Sequence, residues 1–202
     1  MAGSSIFDLE RQYAFYGAYH KNRVNVFIHV LFVWPIFFAF AMMAAYTKPL
    51  VPLPLPANVL PFGQYMVLNW SFVMVAIYAF YYISLDPKAG SLAAALCLAC
   101  WVGCNALAQL LGFSLGWKVI LVAQVVSWTG QFLGHAIFEK RAPALFDNLA
   151  QAFLMAPYFV LLEVLQSGCR YEPYPGFNKN VKSKINANLT EMKAQKRRRK
   201  AS

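Results

Sequence analysis

Apolar positions along this chain run in long, nearly unbroken blocks, without the strict alternation of a strand or the one-sided stripe of a soluble helix. Residues 26–46 are interrupted only by His29 and Pro35. Residues 64–85, 91–111 and 116–138 form three more such blocks. A bilayer core needs about 20 apolar residues per helix, so each block predicts one membrane span. The connections carry turn chemistry. Residues 48–61 hold Pro49, Pro52, Pro54, Pro56 and Pro61, which predicts an extended surface loop. Asp86-Pro-Lys-Ala-Gly90 predicts a tight turn, and Gly112–Gly116 a short link. A fifth stretch, residues 144–165, is less pure because it contains Asp147, Gln151, Pro157 and Glu163.

Composition agrees with the pattern. The chain is 59% hydrophobic and 13% charged, whereas soluble chains run at about 45–50% apolar and 25% charged. Its mean hydropathy is +0.46. Disorder, a disulfide-stapled module and an ordinary soluble enzyme are excluded as readings. The fold class expected is all-α: a polytopic membrane helix bundle with four spans and a broken or re-entrant fifth helix.

The net charge of +10 changes the picture only once it is located. Residues 171–202 hold nine Lys/Arg and two Glu, so 9 − 2 = +7 of it lies there. The basic character belongs to a tail and signals anionic lipid at a membrane surface; nucleic acid is not an expected partner. Positive charge collects on the cytosolic side of membrane proteins. Four crossings put the tail, the N-terminus, Lys88, Lys140 and Arg141 on one side, whereas five would separate the termini. Residues 1–23 are therefore read as a cytosolic segment without a cleaved leader, 24–168 as the bundle, and 169–202 as a cytosolic tail without fixed structure. The sequon Asn188-Leu-Thr190 is then cytosolic and silent.

Cys97, Cys100 and Cys104 follow helical spacing inside an apolar run and read as small residues along a helix seam. The histidines are more informative. His20 precedes the first span, His29 sits about one turn inside it, and His135 lies in the last turn of the fourth. Four crossings bring all three to one membrane depth. Asn25 and His29 are four apart, as are His135 and Glu139, so each pair shares a helix face. His20 and His29 are nine apart, on opposite faces of a continuous helix, and converge only if the chain breaks near residues 21–24 or a separate helix covers residues 7–19. Glu163 is a carboxylate inside an apolar run, a costly placement that points to function.

Imidazoles with a carboxylate suit a non-haem iron or zinc site with positions left open. Each residue also has a plainer reading. A histidine at a span end serves as an interfacial hydrogen-bonder, and Glu139 beside Lys140 and Arg141 as a surface ion pair. Glu163 serves as a hydrogen bond to a neighbouring helix, and Asn25 as a helix cap or a hydrogen-bond partner of a ligand. Lys140 and Arg141 are topology signals or a clamp for a fatty-acid carboxylate. The aromatic residues Phe37, Phe38, Phe40, Tyr78, Phe80, Tyr81 and Tyr82 read as packing or lipid-facing groups, and secondarily as an acyl groove.

Three ordered blocks resemble the fungal 2-hydroxy fatty acid dioxygenase family: Tyr19-His20, Asn25 and Ile28-His29 with Pro35; Gly130-Gln-Phe-Leu-Gly-His135-Ala-Ile-Phe-Glu139 with Pro143; and Asp147-Asn-Leu-Ala-Gln151 through Pro157 to Glu163. Phe32 departs from the pattern, which often has a small residue there. The resemblance implies an endoplasmic-reticulum enzyme performing Fe(II)-dependent α-oxidation. It would shorten a 2-hydroxy long-chain fatty acid by one carbon, consume oxygen and release carbon dioxide, within the breakdown of phytosphingosine. It implies His20, His29 and His135 as iron ligands, with Glu139 and Glu163 as weaker candidates. Chelation of the iron by the 2-hydroxyl and carboxylate would orient the C1–C2 bond. Di-iron hydroxylases and desaturases need about eight histidines, and this chain has three. A transporter or a scaffold with a basic tail is the remaining alternative, and neither has a use for coplanar histidines.

Overall fold

The computed structural model describes residues 6–51, 61–143, 148–149 and 151–201. Among the described residues the structure is all helical, with no strand. Six α-helices follow in order: α1 (Leu9–Tyr19), α2 (Arg23–Ala45), α3 (Trp70–Leu85), α4 (Pro87–Gly134), α5 (Ala156–Cys169) and α6 (Phe177–Ala201). Two π-helical turns, His135–Glu139 and Gln151–Met155, extend α4 and precede α5. Three helical stretches are long and apolar enough to cross a membrane: Arg23–Ala45, Pro87–Glu139 and Gln151–Cys169. The chain forms two compact units, one of residues 1–28 with 132–202 and the other of residues 29–131.

In the second unit α4 is broken at Gly112, whose φ of 63° and ψ of 172° suit glycine alone. The residues facing α2 show what the break does. Gly103 meets Phe38. The Tyr46 hydroxyl donates to the Gly112 carbonyl at 2.9 Å. Further on, Gln124 donates to the Ile36 carbonyl at 3.2 Å, and Gly130 lies under the Phe32 ring. The contact climbs α2 to its end and then descends, so residues 87–111 and 113–134 form a helical hairpin. Small residues bring its first arm close to α2: Ala41, Met42, Cys104 and Ala108 make a buried cluster. Asn69 caps α3, accepting from the Ser71 and Phe72 amides, and donates to Asn105 at 2.8 Å.

Two sequence expectations shift here. The span predicted over 64–85 begins its helix only at Trp70, because the Asn69 cap sets its start. The turn predicted over Asp86–Gly90 is the first turn of α4, with the Asp86 carboxylate accepting from the Lys88 amide at 3.0 Å. Gly90 is needed for close approach: a Cβ there would run into the Tyr82 backbone.

In the first unit α1 starts at an Asp8 cap and packs along α6. Tyr13 donates to Gln166 at 3.0 Å, and Gln166 to Asn178 at 2.9 Å. Gln151 donates to the Gln12 carbonyl and side chain at 2.9 and 2.7 Å. Lys184 pairs with Glu10 at 2.5 Å, and that hydrogen bond holds the Glu10 carboxyl below its ordinary range. The tail expected to lack structure is thus helical over Phe177–Ala201, because Phe177 and Val181 are buried on one face. Of the fifth stretch, residues 144–147 and 150, Asp147 among them, lie outside the described residues; the remainder is a π turn leading into α5.

Candidate metal centre

The nine-residue spacing of His20 and His29 is resolved by a helix break. α1 ends at Tyr19, and His20 leaves helical geometry at φ −121° and ψ 71°. Its ring nitrogen Nδ1 lies 2.8 Å from the Tyr16 carbonyl. A carbonyl only accepts, so Nδ1 carries the proton and Nε2 keeps the lone pair. The Tyr16 ring stacks on the imidazole, with centroids 3.9 Å apart and planes 18° from parallel. The chain turns through Lys21 and Asn22, and α2 opens at Arg23.

Glu139 fixes that turn. Its Oε1 accepts from the Lys21 amide at 2.7 Å, the Asn22 amide at 2.8 Å and Asn25 Nδ2 at 3.3 Å. The Asn22 amide, at the cap of α2, is one of the donors that a helix N-terminus leaves unsatisfied, and a carboxylate there also meets the positive end of the helix dipole. Glu139 and Asn25 are thus brought together as the lock on the start of α2. Gly134 completes the fit, since a Cβ there would run into Asn25 Oδ1.

His29 follows Asn25 by one turn of α2, and His135 follows Gly134 at the start of the π turn. One ligand atom from each of His20, His29 and His135 lies within 4.8 Å of the other two. His29 is 5% and His135 2% exposed, and the His20 and His135 rings meet edge to face at 4.8 Å. Among the described residues this is the one group of three or more His, Cys, Asp or Glu placed to share a metal ion. It contains no carboxylate.

The other expected residues lie elsewhere. Arg141 reaches back to α1: Nη2 donates to the Ala18 carbonyl at 2.5 Å, and the guanidinium lies 4.8 Å from the Tyr19 ring centre. Lys140 is exposed, in left-handed backbone at φ 52°. Glu163, on α5, bears on Tyr13 and Tyr16. Burial first, and then this carboxylate, hold both phenols well above their ordinary range. Of the aromatic residues, Phe37, Tyr81 and Tyr82 are buried, and Phe80 is exposed. A groove of about 620 Å³ in the second unit is mostly aliphatic, lined by Leu31, Pro35, Val122 and Val126 beside Phe32. Phe32, the departure from the family pattern, packs against Gly130.

Two residues escaped the sequence reading. Tyr16 is one turn before His20, a spacing that carries meaning only once α1 is known to end there. Gly134 directly precedes His135 but was one small residue among many.

The donor set fits a metal ion. Bonds of about 2.1 Å from three imidazoles to one centre place the nitrogens about 3–4 Å apart, so the observed grouping needs a contraction of about 1 Å. The Tyr16 carbonyl already fixes the tautomer of His20 that a metal ligand needs.

Fold and site define a protein that is helical throughout its described residues, with helices able to cross a membrane, and that carries a three-histidine cluster in which His29 and His135 are buried and His20 is half-buried. The chain belongs to the Mpo1-like family, described as 2-hydroxy-palmitic acid dioxygenase Mpo1-like, which matches residues 6–167. It is similar to the 2-hydroxy-palmitic acid dioxygenase MPO1 of Saccharomyces cerevisiae, 33% identical over 163 residues, which cover 81% of this chain and 83% of that protein. No solved structure matches the chain.

Proposed function

We propose that this protein is a membrane-bound, Fe(II)-dependent dioxygenase that shortens 2-hydroxy long-chain fatty acids by one carbon. The observation that carries the reading is the grouping of His20, His29 and His135, with ligand atoms within 4.8 Å of one another, in a chain related to a 2-hydroxy-palmitic acid dioxygenase. The reaction balances with dioxygen as the oxidant. The C1–C2 bond breaks, C2 becomes the new carboxyl carbon, C1 leaves as carbon dioxide, and the remaining oxygen atom leaves as water.

Ferrous iron held by the three imidazoles supplies oxygen activation and a positive centre for the substrate's oxygens. The chain's own residues do the rest. The Tyr16 carbonyl fixes the tautomer and aim of His20. Glu139 holds the turn that sets His20 against His29, acting as a positioning residue. Burial of His29 and His135 keeps bulk water away. The apolar groove lies on α2 and α4, the helices that carry His29 and lead to His135, and takes the acyl chain. Arg141, tied to the Ala18 carbonyl of α1, holds the N-terminal helix in place rather than clamping the substrate carboxylate.

The enzyme crosses the membrane four times, through α2, α3 and the two arms of α4, and α5 packs without crossing. The helical hairpin at Gly112 supports the count. Both termini face the cytosol from the endoplasmic-reticulum membrane, and the products enter the breakdown of sphingolipid-derived fatty acids.

Oxygen uptake by the reconstituted protein on 2-hydroxypalmitate tests the reading. Uptake is expected with added Fe(II), abolished by a chelator, and reduced at least 100-fold in each of His20→Ala, His29→Ala and His135→Ala. Bound iron should fall with it. Full activity after exhaustive chelation would overturn the assignment.

A further inference from the structure

The Tyr16 hydroxyl is buried and makes no hydrogen bond. A buried hydroxyl without a partner destabilises the fold, and such groups call for an explanation in function. The ring that carries it is held twice. It stacks on the His20 imidazole at 3.9 Å, and its residue's carbonyl binds His20 Nδ1 at 2.8 Å. It also packs against Phe159, with centroids 5.2 Å apart. A phenol oxygen lies about one ring's width from the centroid, so the stacking keeps the buried hydroxyl close to the His20 imidazole, one of the three candidate ligands.

We infer that the Tyr16 hydroxyl recognises the 2-hydroxyl of the substrate and so separates 2-hydroxy acids from unsubstituted fatty acids. The assignment rests on the dioxygenase reading of the site. Both acids carry a carboxylate, so a discriminating group must meet the oxygen that only one of them has. An unsubstituted acid leaves the buried hydroxyl unpaired. A site built to hydrogen-bond a substrate hydroxyl rejects an analogue lacking it more strongly than an apolar pocket rejects a change of shape.

Tyr16→Phe tests this in the full-length protein in nanodiscs. Equilibrium binding of tritiated 2-hydroxypalmitate and tritiated palmitate is measured without oxygen, beside iron content and thermal midpoint. The wild type should prefer the hydroxy acid. The variant should keep its iron and its midpoint, or gain in midpoint because an unpaired hydroxyl is gone. Its preference should fall about tenfold through weaker binding of the hydroxy acid alone. An unchanged ratio, no preference in the wild type, or a midpoint lowered by several degrees would overturn the inference. Oxygen uptake separates the two proposals. A wild type that binds selectively through Tyr16 without turnover defeats the dioxygenase reading only, and turnover with selectivity intact in the variant defeats Tyr16 only.

Discussion

At the scale of single residues the division of labour between His135 and Glu139 decides how the site works. Four-residue spacing put both on one helix face and suggested two ligands. The structure gives the carboxylate another task, since one of its oxygens already accepts three N–H groups at the start of α2. Glu139→Ala removes the acceptor of two backbone amides and is expected to cost about 0.5–2 kcal/mol of stability, as for loss of a helix cap, read by thermal or denaturant unfolding. Metal affinity should weaken about 10–100-fold because His20 loses its fixed position. Glu139→Gln keeps an acceptor oxygen and should retain most of both, whereas for a direct ligand metal binding would be lost in either variant. The three histidines were legible because span ends fix depth and helical spacing fixes face. What spacing could not show was which polar neighbours were already satisfied, as with Glu139 and with Arg141 bound to the Ala18 carbonyl.

At the scale of elements the apolar blocks foretold helices well and their ends less well. α3 starts at Trp70 and α4 at Pro87 because Asn69 and Asp86 accept the first amides, a local competition that block hydropathy averages away. The tail was misjudged for a related reason. Its mean composition is polar and basic, yet Phe177 and Val181, one turn apart, suffice to seat α6 on α1. The Glu10–Lys184 pair adds an acid-sensitive contact to that seating. Because its partner lowers the Glu10 carboxyl, the contribution is present in full above the ordinary value of 4.5 and is lost as pH falls through the lowered one. Protection factors of the α6 amides, taken relative to the intrinsic exchange rate at each pH, should therefore fall on acidification below 4.5 in the wild type. In Glu10→Gln they should be lower already at neutral pH and nearly flat with acid. Equal acid sensitivity in both proteins would assign the effect to another carboxylate.

For the whole molecule the question is parity, because an even number of crossings joins the termini on one face and an odd number parts them. α2 has 23 residues, and the arms of α4 span 87–111 and 113–134. At 1.5 Å per residue each reaches about 33–38 Å, enough for a hydrocarbon core of about 30 Å. α3, with 16 residues, reaches about 24 Å and relies on the apolar residues before its cap. Whether α5 adds a fifth crossing decides the side of Cys169, which ends α5 and is the exposed cysteine of the four. Cys97 and Cys104 are buried, and Cys100 lies between them on an apolar helix. An impermeant maleimide added to sealed endoplasmic-reticulum vesicles with the cytosolic face outward should label Cys169 without detergent, and Cys169→Ser should remove the label. Labelling only after permeabilisation, together with glycan on Asn188, would place the basic α6 in the lumen and require five crossings. The expected side follows from charge, since the Lys and Arg of α6 stay where anionic lipid is concentrated and translocating them works against the membrane potential.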